Sequence, residues 1–530
     1  MVATAMARTR STGSSVLAQP SPVGEPARPA SQAAEARLWR GGAVPLNTLL
    51  MSLRTLAIFV VGFLMLPLLI DRIGAAPTGL FVFATTLTGY FAAVELGIAT
   101  SVTKYLAEFR VGGEQERINS MVRGSLLLMI AIGMLVAAAL VALGLAGGRA
   151  LFGSPSVRGQ VVTTMLVAAG TALAYWPSRV GTAMLEGLER YDQRAMVGIV
   201  MSLLTLGGLW GLTFATHSVP VLTGYFGSML VLEGAVCAAV AWRRVGLRRH
   251  LGSWRGRELR PVFAFGGGLF IIGIADTAIY SLDRLIVAAF VGATAIVVYE
   301  VALRPHNAVR MINALTAGAL VSTVSRLATS GQVDRLRRLV VVGSFLGLII
   351  TLPWVILVLL LAKPLIVAWV GHAYGRFAVY AQIFVLYWLT GANTGVLGAL
   401  VTGMSNIRIF VILTVIGGVT SLGLSIGMTA AFGTVGVIWG TVIPSMVGFP
   451  LWMHFALRRA GLTWREYARE VAAPAYGLLV PWAGLVWAGS ALVHPSGLVD
   501  VGLYGGLALA VWGAMVATPA RRHWRAALAG

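Results

Sequence analysis

The chain is short of charge. Only 11% of its 530 residues are Asp, Glu, Lys or Arg, where a soluble domain carries roughly 25%. With 58% hydrophobic residues and a mean hydropathy of +0.84, this excludes an ordinary water-soluble globular chain and predicts a polytopic membrane protein. Acidic residues are the scarcer kind: 19 against 40 Lys and Arg, a net charge of +21. Cysteine is nearly absent. The single Cys237 excludes an intrachain disulfide and argues against a Cys-based metal site, and in its apolar run it is expected in the core. The seven histidines show no HExxH spacing, so no metal is expected. Gly266-Gly267-Gly268 lacks the Lys and Ser/Thr of a phosphate-binding loop. No other stretch resembles a nucleotide site, so no cofactor is expected and any transport would be secondary or driven by substrate and potential. Long polar loops opposite the N-terminal side are missing too. That leaves little room for the catalytic loop of a polytopic glycosyltransferase, so a transporter is expected in place of an enzyme.

What the chain has is apolar runs of about 20 residues, the length that crosses a bilayer. Fourteen candidates are read from the sequence, at 46–70, 79–101, 121–145, 161–176, 196–216, 219–242, 263–290, 293–323, 339–361, 377–401, 407–430, 434–457, 471–492 and 498–518. The segments between them separate by charge. On the N-terminal side 31 Lys and Arg lie in or at the edge of a segment, five lie opposite, and four (Arg54, Arg284, Arg304, Arg310) fall within spans. The positive-inside rule then puts both termini in the cytoplasm and the chain in the cytoplasmic membrane. It also removes the nucleic-acid reading of the basic excess, which is topology signal beside anionic lipid.

The organisation follows. Residues 1–45 are rich in Ala, Ser and Pro with no apolar run, and read as a disordered cytoplasmic tail without the apolar region of a signal peptide. Residues 46–242 and 263–457 hold six spans each, joined by a basic linker, 243–262, that reads as a membrane-surface segment. Residues 458–530 add two further spans and a basic tail. The halves show a repeat at a shift of 218 residues: Ile73-Gly74-Ala75-Ala76 falls on Val291-Gly292-Ala293-Thr294, and Gly113, Arg117 and Val122 fall on Gly331, Arg335 and Val340. Six spans is an even number, so the repeats share one orientation, and in such transporters the substrate site lies between the halves near the midplane.

Polar residues inside the spans point to that site. The eighth span carries Glu300, Arg304, His306, Asn307 and Arg310. At about 100° per residue they occupy an arc of roughly 160°. A charge near a bilayer centre costs at least ~2.5–3.5 kcal/mol, so this face is expected to line a cavity for an anionic substrate. At ~1.5 Å per residue Arg304 lies ~16 Å into a ~30 Å core, and Pro305 beside it can kink the helix. Arg54 of span one, with Glu95 and Lys104 of span two, joins Arg304 and Arg310 as substrate-binding candidates. Asp276, Asp283, Arg284, Glu300 and His306 are candidates for ion coupling or charge pairing. Glu300 and Arg304, four apart, suit an internal ion pair. Asp283 and Arg284 point in different directions and need partners on other spans, and Glu233 of span six is expected in an interhelical hydrogen bond or ion pair.

Several stretches resemble the polysaccharide-transport (Wzx-like) proteins. In residues 72–114, Gly74 and Gly79 match a glycine-containing turn, and Glu95-Leu96-Gly97-Ile98 with Val102-Thr103-Lys104-Tyr105-Leu106-Ala107-Glu108 match the helix that follows it. Asp283-Arg284-Leu285-Ile286 through Gly292, Tyr299 and Ala302, and the turn Ala368-Trp369-Val370-Gly371, match further on. Glu95 stands where many relatives have Asp. The resemblance implies the fold of the multidrug/oligosaccharidyl-lipid/polysaccharide superfamily: all-α, about 14 transmembrane helices, two parallel six-helix lobes around a central cavity, and here two C-terminal helices more. It implies an oligosaccharide flippase that moves a polyprenyl-diphosphate-linked glycan from the inner to the outer leaflet by alternating access, with membrane lipids and polysaccharide-assembly enzymes as further partners. The two final spans are like those of the lipid II flippase branch, which is one alternative. A multidrug cation antiporter is another, although it would want an acidic cavity, and Arg54, Arg284, Arg304 and Arg310 outnumber Asp276, Asp283 and Glu300.

Overall fold

The computed structural model describes residues 43–89, 92–147, 155–245, 282–329, 332–403 and 408–528. Residues 1–49 and 50–530 form two units. The described part of the first is the start of helix α1, and all packing below lies within the second. Among the described residues there is no strand; an α-helix suits lipid because it pairs its backbone polar groups within its own segment.

The N-terminal half holds α1 (Ala43–Ile73), α2 (Ala75–Gly89), α3 (Ala92–Val111), α4 (Gln115–Ala142), α5 (Pro155–Gly187), α6 (Tyr191–Ala215) and α7 (Val219–Val245). The other half holds α8 (Leu282–Phe290), α9 (Ala293–Thr329), α10 (Val333–Val370), α11 (Ala378–Gly391), α12 (Thr394–Gly403), α13 (Arg408–Phe432) and α14 (Thr434–Arg459). A short turn of helix, α15 (Trp464–Tyr467), leads to α16 (Ala473–Val493), and α17 (Leu498–Leu528) follows.

Ten helices among the described residues are long and apolar enough to cross a membrane, fewer than the fourteen expected. The reasons are local. Span eight is one helix of 37 residues, but Glu300, Arg304 and Arg310 interrupt its apolar length. Span two is described as α2 and α3, and most of span seven lies outside the described residues. Span ten is broken into α11 and α12 at Ala392 and Asn393. A broken helix at membrane depth frees carbonyls that need donors. Here Tyr476 Oη donates to Leu389 O, Asn313 Nδ2 to Ala392 O, and Thr394 Oγ1 to Gly391 O at 2.8 Å.

Helix association in lipid relies on close packing through small residues. A methyl group on Gly181 of α5 would lie 2.6 Å from the Gly234 carbonyl of α7, and one on Gly436 of α14 would overlap the Met428 carbonyl of α13. The C-terminal pair is anchored through tryptophan. Trp482 of α16 and Trp512 of α17 have ring centroids 5.3 Å apart, and Trp512 Nε1 donates to Ile349 O of α10 at 2.7 Å. Cys237 is buried in the core, as expected.

Gly74 and Gly292 both take positive φ, +86° and +108°, which only glycine adopts at no steric cost. The two turns also meet. A methyl group on Gly79 would overlap the Ala293 carbonyl, so α2 of one half and α9 of the other touch backbone to backbone. Trp369 adds a second tie between the halves, donating Nε1 to Phe63 O of α1 at 3.1 Å.

Candidate functional site

Helices of both halves enclose a cavity of about 320 Å³. Gly62 and Met65 of α1, Thr85 and Thr86 of α2, Ser202 and Thr205 of α6 and Glu233 of α7 line one side; Arg284 of α8 with Glu300 and Arg304 of α9 line the other. The remaining wall is apolar, including Phe81, Val82 and Phe226.

Glu300, with a side chain 2% exposed, sits between two guanidinium groups: Oε1 accepts from Arg284 Nε at 2.5 Å and Oε2 lies 3.3 Å from Arg304 Nη2. One carboxylate shared by two arginines leaves the trio with one positive charge. Each guanidinium has five N–H donors, and one carboxylate cannot use them all. Arg304 Nε is buried with no hydrogen-bond partner among the described residues. Arg304 also reaches α1, where its Nη1 would lie 2.8 Å from a methyl group on Gly62, so the absent side chain at Gly62 gives the guanidinium its space.

A second cluster backs the opposite wall. Glu233 Oε1 accepts from Arg194 Nη1 at 2.5 Å and from Arg54 Nη2 at 3.2 Å, and Arg194 Nε lies 3.4 Å from Glu186 Oε1. The ion pair expected of Glu233 is therefore present. Arg54 touches the cavity through this partner: Glu233 lines the wall, and Arg54 is not among the lining residues. Arg194, 1% exposed, and Glu186 were missed in the sequence, where 177–195 reads as a polar loop. The structure carries α5 on to Gly187 and starts α6 at Tyr191. The one available signal was Glu233 itself, a lone carboxylate in an apolar run that needs a buried cation.

The polar face of span eight does not act as one surface. Glu300 and Arg304 meet the cavity, whereas His306 is buried on the far side, its Nδ1 3.0 Å from Phe384 O and 3.2 Å from Trp388 Nε1, both on α11. Trp388 can only donate and the carbonyl can only accept, so Nδ1 serves one of them according to its tautomer. The expectation that all five residues line one cavity is corrected: an arc of about 160° spans two neighbours, with His306 at one edge and Arg304 at the other. Arg310 is exposed and Lys104 is exposed with its Nζ 5.0 Å from the Tyr105 ring centroid; neither lines the cavity. Asp283 is a buried tie, accepting from Tyr299 Oη at 2.9 Å and Thr441 Oγ1 at 2.7 Å; it fastens α8 to α9 and α14. Glu95 lies in α3, its side chain outside the described set, and Asp276 lies outside the described residues. Among the described residues no cluster of His, Cys, Asp and Glu could hold a metal ion.

The family model described as "Polysaccharide biosynthesis protein" matches residues 127–379. Among curated proteins none matches the chain. The solved structure titled "Lipid II flippase MurJ, inward closed conformation" is similar at a TM-score of 0.66 and 13% identity, over 88% of this chain and 98% of that one. An inward-facing multidrug resistance MATE family transporter of the MOP superfamily is similar at 0.60 and 15%, over 77% and 94%. An outward-facing one is similar at 0.55 and 17%, over 79% and 94%. These likenesses show the fold, and the family match over residues 127–379 agrees with the resemblance to polysaccharide-transport proteins in that stretch.

Proposed function

We propose that this chain is a flippase for a polyprenyl-diphosphate-linked glycan, moving it across the cytoplasmic membrane by alternating access for cell-surface polysaccharide biosynthesis. The observation that carries this reading is the Arg284–Glu300–Arg304 trio in a cavity walled by both halves. Guanidinium forks match phosphate oxygens, and in a low-dielectric chamber such charge-assisted bonds are strong. The apolar remainder of the wall suits the sugar faces and the first isoprene units, and the prenyl chain stays in lipid. Arg54 and Arg310 come to the substrate only if the halves rearrange. The family match supports polysaccharide chemistry, and the chain does no covalent chemistry in this reading: it binds, shields and releases. Both termini are cytoplasmic, and assembly enzymes approach from that side.

Two other readings share the fold. A multidrug cation antiporter would need free carboxylates in the cavity, whereas Glu300 and Glu233 each sit between two arginines. A lipid II flippase would use the same chemistry on a different glycan, and the C-terminal pair α16 and α17 is compatible with it. The deciding experiment is head-group translocation in proteoliposomes with Arg304→Ala at matched protein levels, alongside mass spectrometry of copurifying lipids. Lost flipping and a bound polyprenyl-diphosphate glycan are expected; unchanged flipping removes Arg304 from the site, and bound organic cations in place of the glycan would favour the antiporter.

A further inference from the structure

Beside the cavity, α1 and α6 enclose a second hollow. The two helices are clipped together twice. At one end Arg54 lies against Gly198, where a methyl group would overlap its Nε; at the other, Arg72 stands 4.3 Å from the ring centroid of Phe214. These arginines are 18 residues apart, ~27 Å along a helix. Between the clips runs a groove of about 380 Å³ lined by Leu64, Leu68, Leu203, Leu206, Gly207 and Trp210. No lining side chain is charged, and Leu64, Leu203 and Trp210 are exposed.

The groove and the cationic cavity are next-door faces of the same two helices. Met65 lines the cavity and Leu64 the groove; Ser202 lines the cavity and Leu203 the groove. These neighbouring side chains of α1 and α6 form the seam between the two spaces. We propose that this groove binds the isoprenoid chain of the lipid-linked substrate while its diphosphate sits at Arg284 and Arg304, with the α1–α6 seam as the slot that joins them. This rests on the flippase reading. A lipid whose charged head is held at mid-depth must lead its chain out sideways, and the groove opens directly beside the chamber. A phospholipid keeps its head at the membrane surface, and the two clips bound the groove at either end.

Gly207 makes the test clean. A methyl group there meets nothing within 4 Å, and the same holds for Gly423 on α13, so Gly207→Phe fills the groove without displacing the protein and Gly423→Phe is its control. The full chain is reconstituted with a polyprenyl diphosphate carrying a diazirine on its chain, and separately with a phosphatidylcholine carrying one on an acyl chain. The polyprenyl probe is expected to label peptides spanning 64–68 and 203–210, resisting competition by excess phosphatidylcholine. Gly207→Phe should cut that label about tenfold, the effect of ~1.4 kcal/mol, and Gly423→Phe should leave it unchanged. Equal labelling by the phosphatidylcholine probe, equally lost in Gly207→Phe, overturns the proposal and makes the groove an ordinary lipid contact. A diphosphate-end probe that labels the Arg304 peptide while the chain probe misses the groove overturns this inference and leaves the flippase reading standing. No labelling by either polyprenyl probe overturns both.

Discussion

Trp369 and Phe63 join the two halves of the molecule: their rings stack with centroids 4.1 Å apart at 10°, and the indole N–H donates to the Phe63 carbonyl at 3.1 Å. Phe63 is on α1, next to Gly62 of the cavity wall, and Trp369 is in the last turn of α10. The stacked pair and the hydrogen bond tie α1 to α10.

Trp369→Ala should therefore loosen the tie between α1 and α10. Losing a stacked pair and one hydrogen bond is worth ~1–3 kcal/mol, about a 5- to 150-fold shift in a two-state balance. Spin labels near Phe63 and Trp369 should report a new, longer distance population in the variant. An unchanged distance distribution would mean that the stack does not hold these two helices together.

Gly79→Ala places a methyl group on the Ala293 carbonyl, and the helices must part. Overpacking of this kind costs typically ~1–3 kcal/mol. The thermal midpoint in detergent should fall, whereas Gly211→Ala, where a methyl group meets open space, should leave it nearly unchanged. Equal midpoints for the two variants would count against the close approach.

Glu300→Gln leaves Arg284 and Arg304 facing each other without a carboxylate. Breaking a buried ion pair by removing one partner costs ~3–5 kcal/mol. Denaturant titration should show that loss, and Arg284→Gln in the same chain should restore part of it. A double variant no more stable than Glu300→Gln alone would argue that the two charges are not coupled.

The second cluster predicts an order. Arg194 is buried and bonds Glu233 at 2.5 Å, whereas Arg54 is 15% exposed and bonds it at 3.2 Å. Arg194→Ala should destabilise more than Arg54→Ala, with the first near ~3–5 kcal/mol. The reverse order would sink this reading of the cluster.

Much of this was legible because lipid leaves few options. Apolar runs announce the helices, and a charge inside one announces a buried partner or a cavity. Glu233, Glu300 and Arg304 could therefore be singled out from the sequence. Gly74 and Gly292 could be paired, since a turn with positive φ favours glycine in both repeats. Arg194 and Glu186 could not, because a charged residue at the edge of an apolar run reads the same whether its helix stops there or continues. The split of span ten was hidden because donors on other helices, Asn313 and Tyr476, satisfy the carbonyls it frees.

Transfer free energy along one chain sets the solvent, the helical class and the residues that cannot face lipid. Which of those residues share a space depends on how the helices pack. Arg304 and His306 lie two positions apart on one helix, yet one meets α1 and the cavity while the other packs into α11. Helical periodicity fixes the direction of a side chain, but the neighbour in that direction comes from another part of the chain.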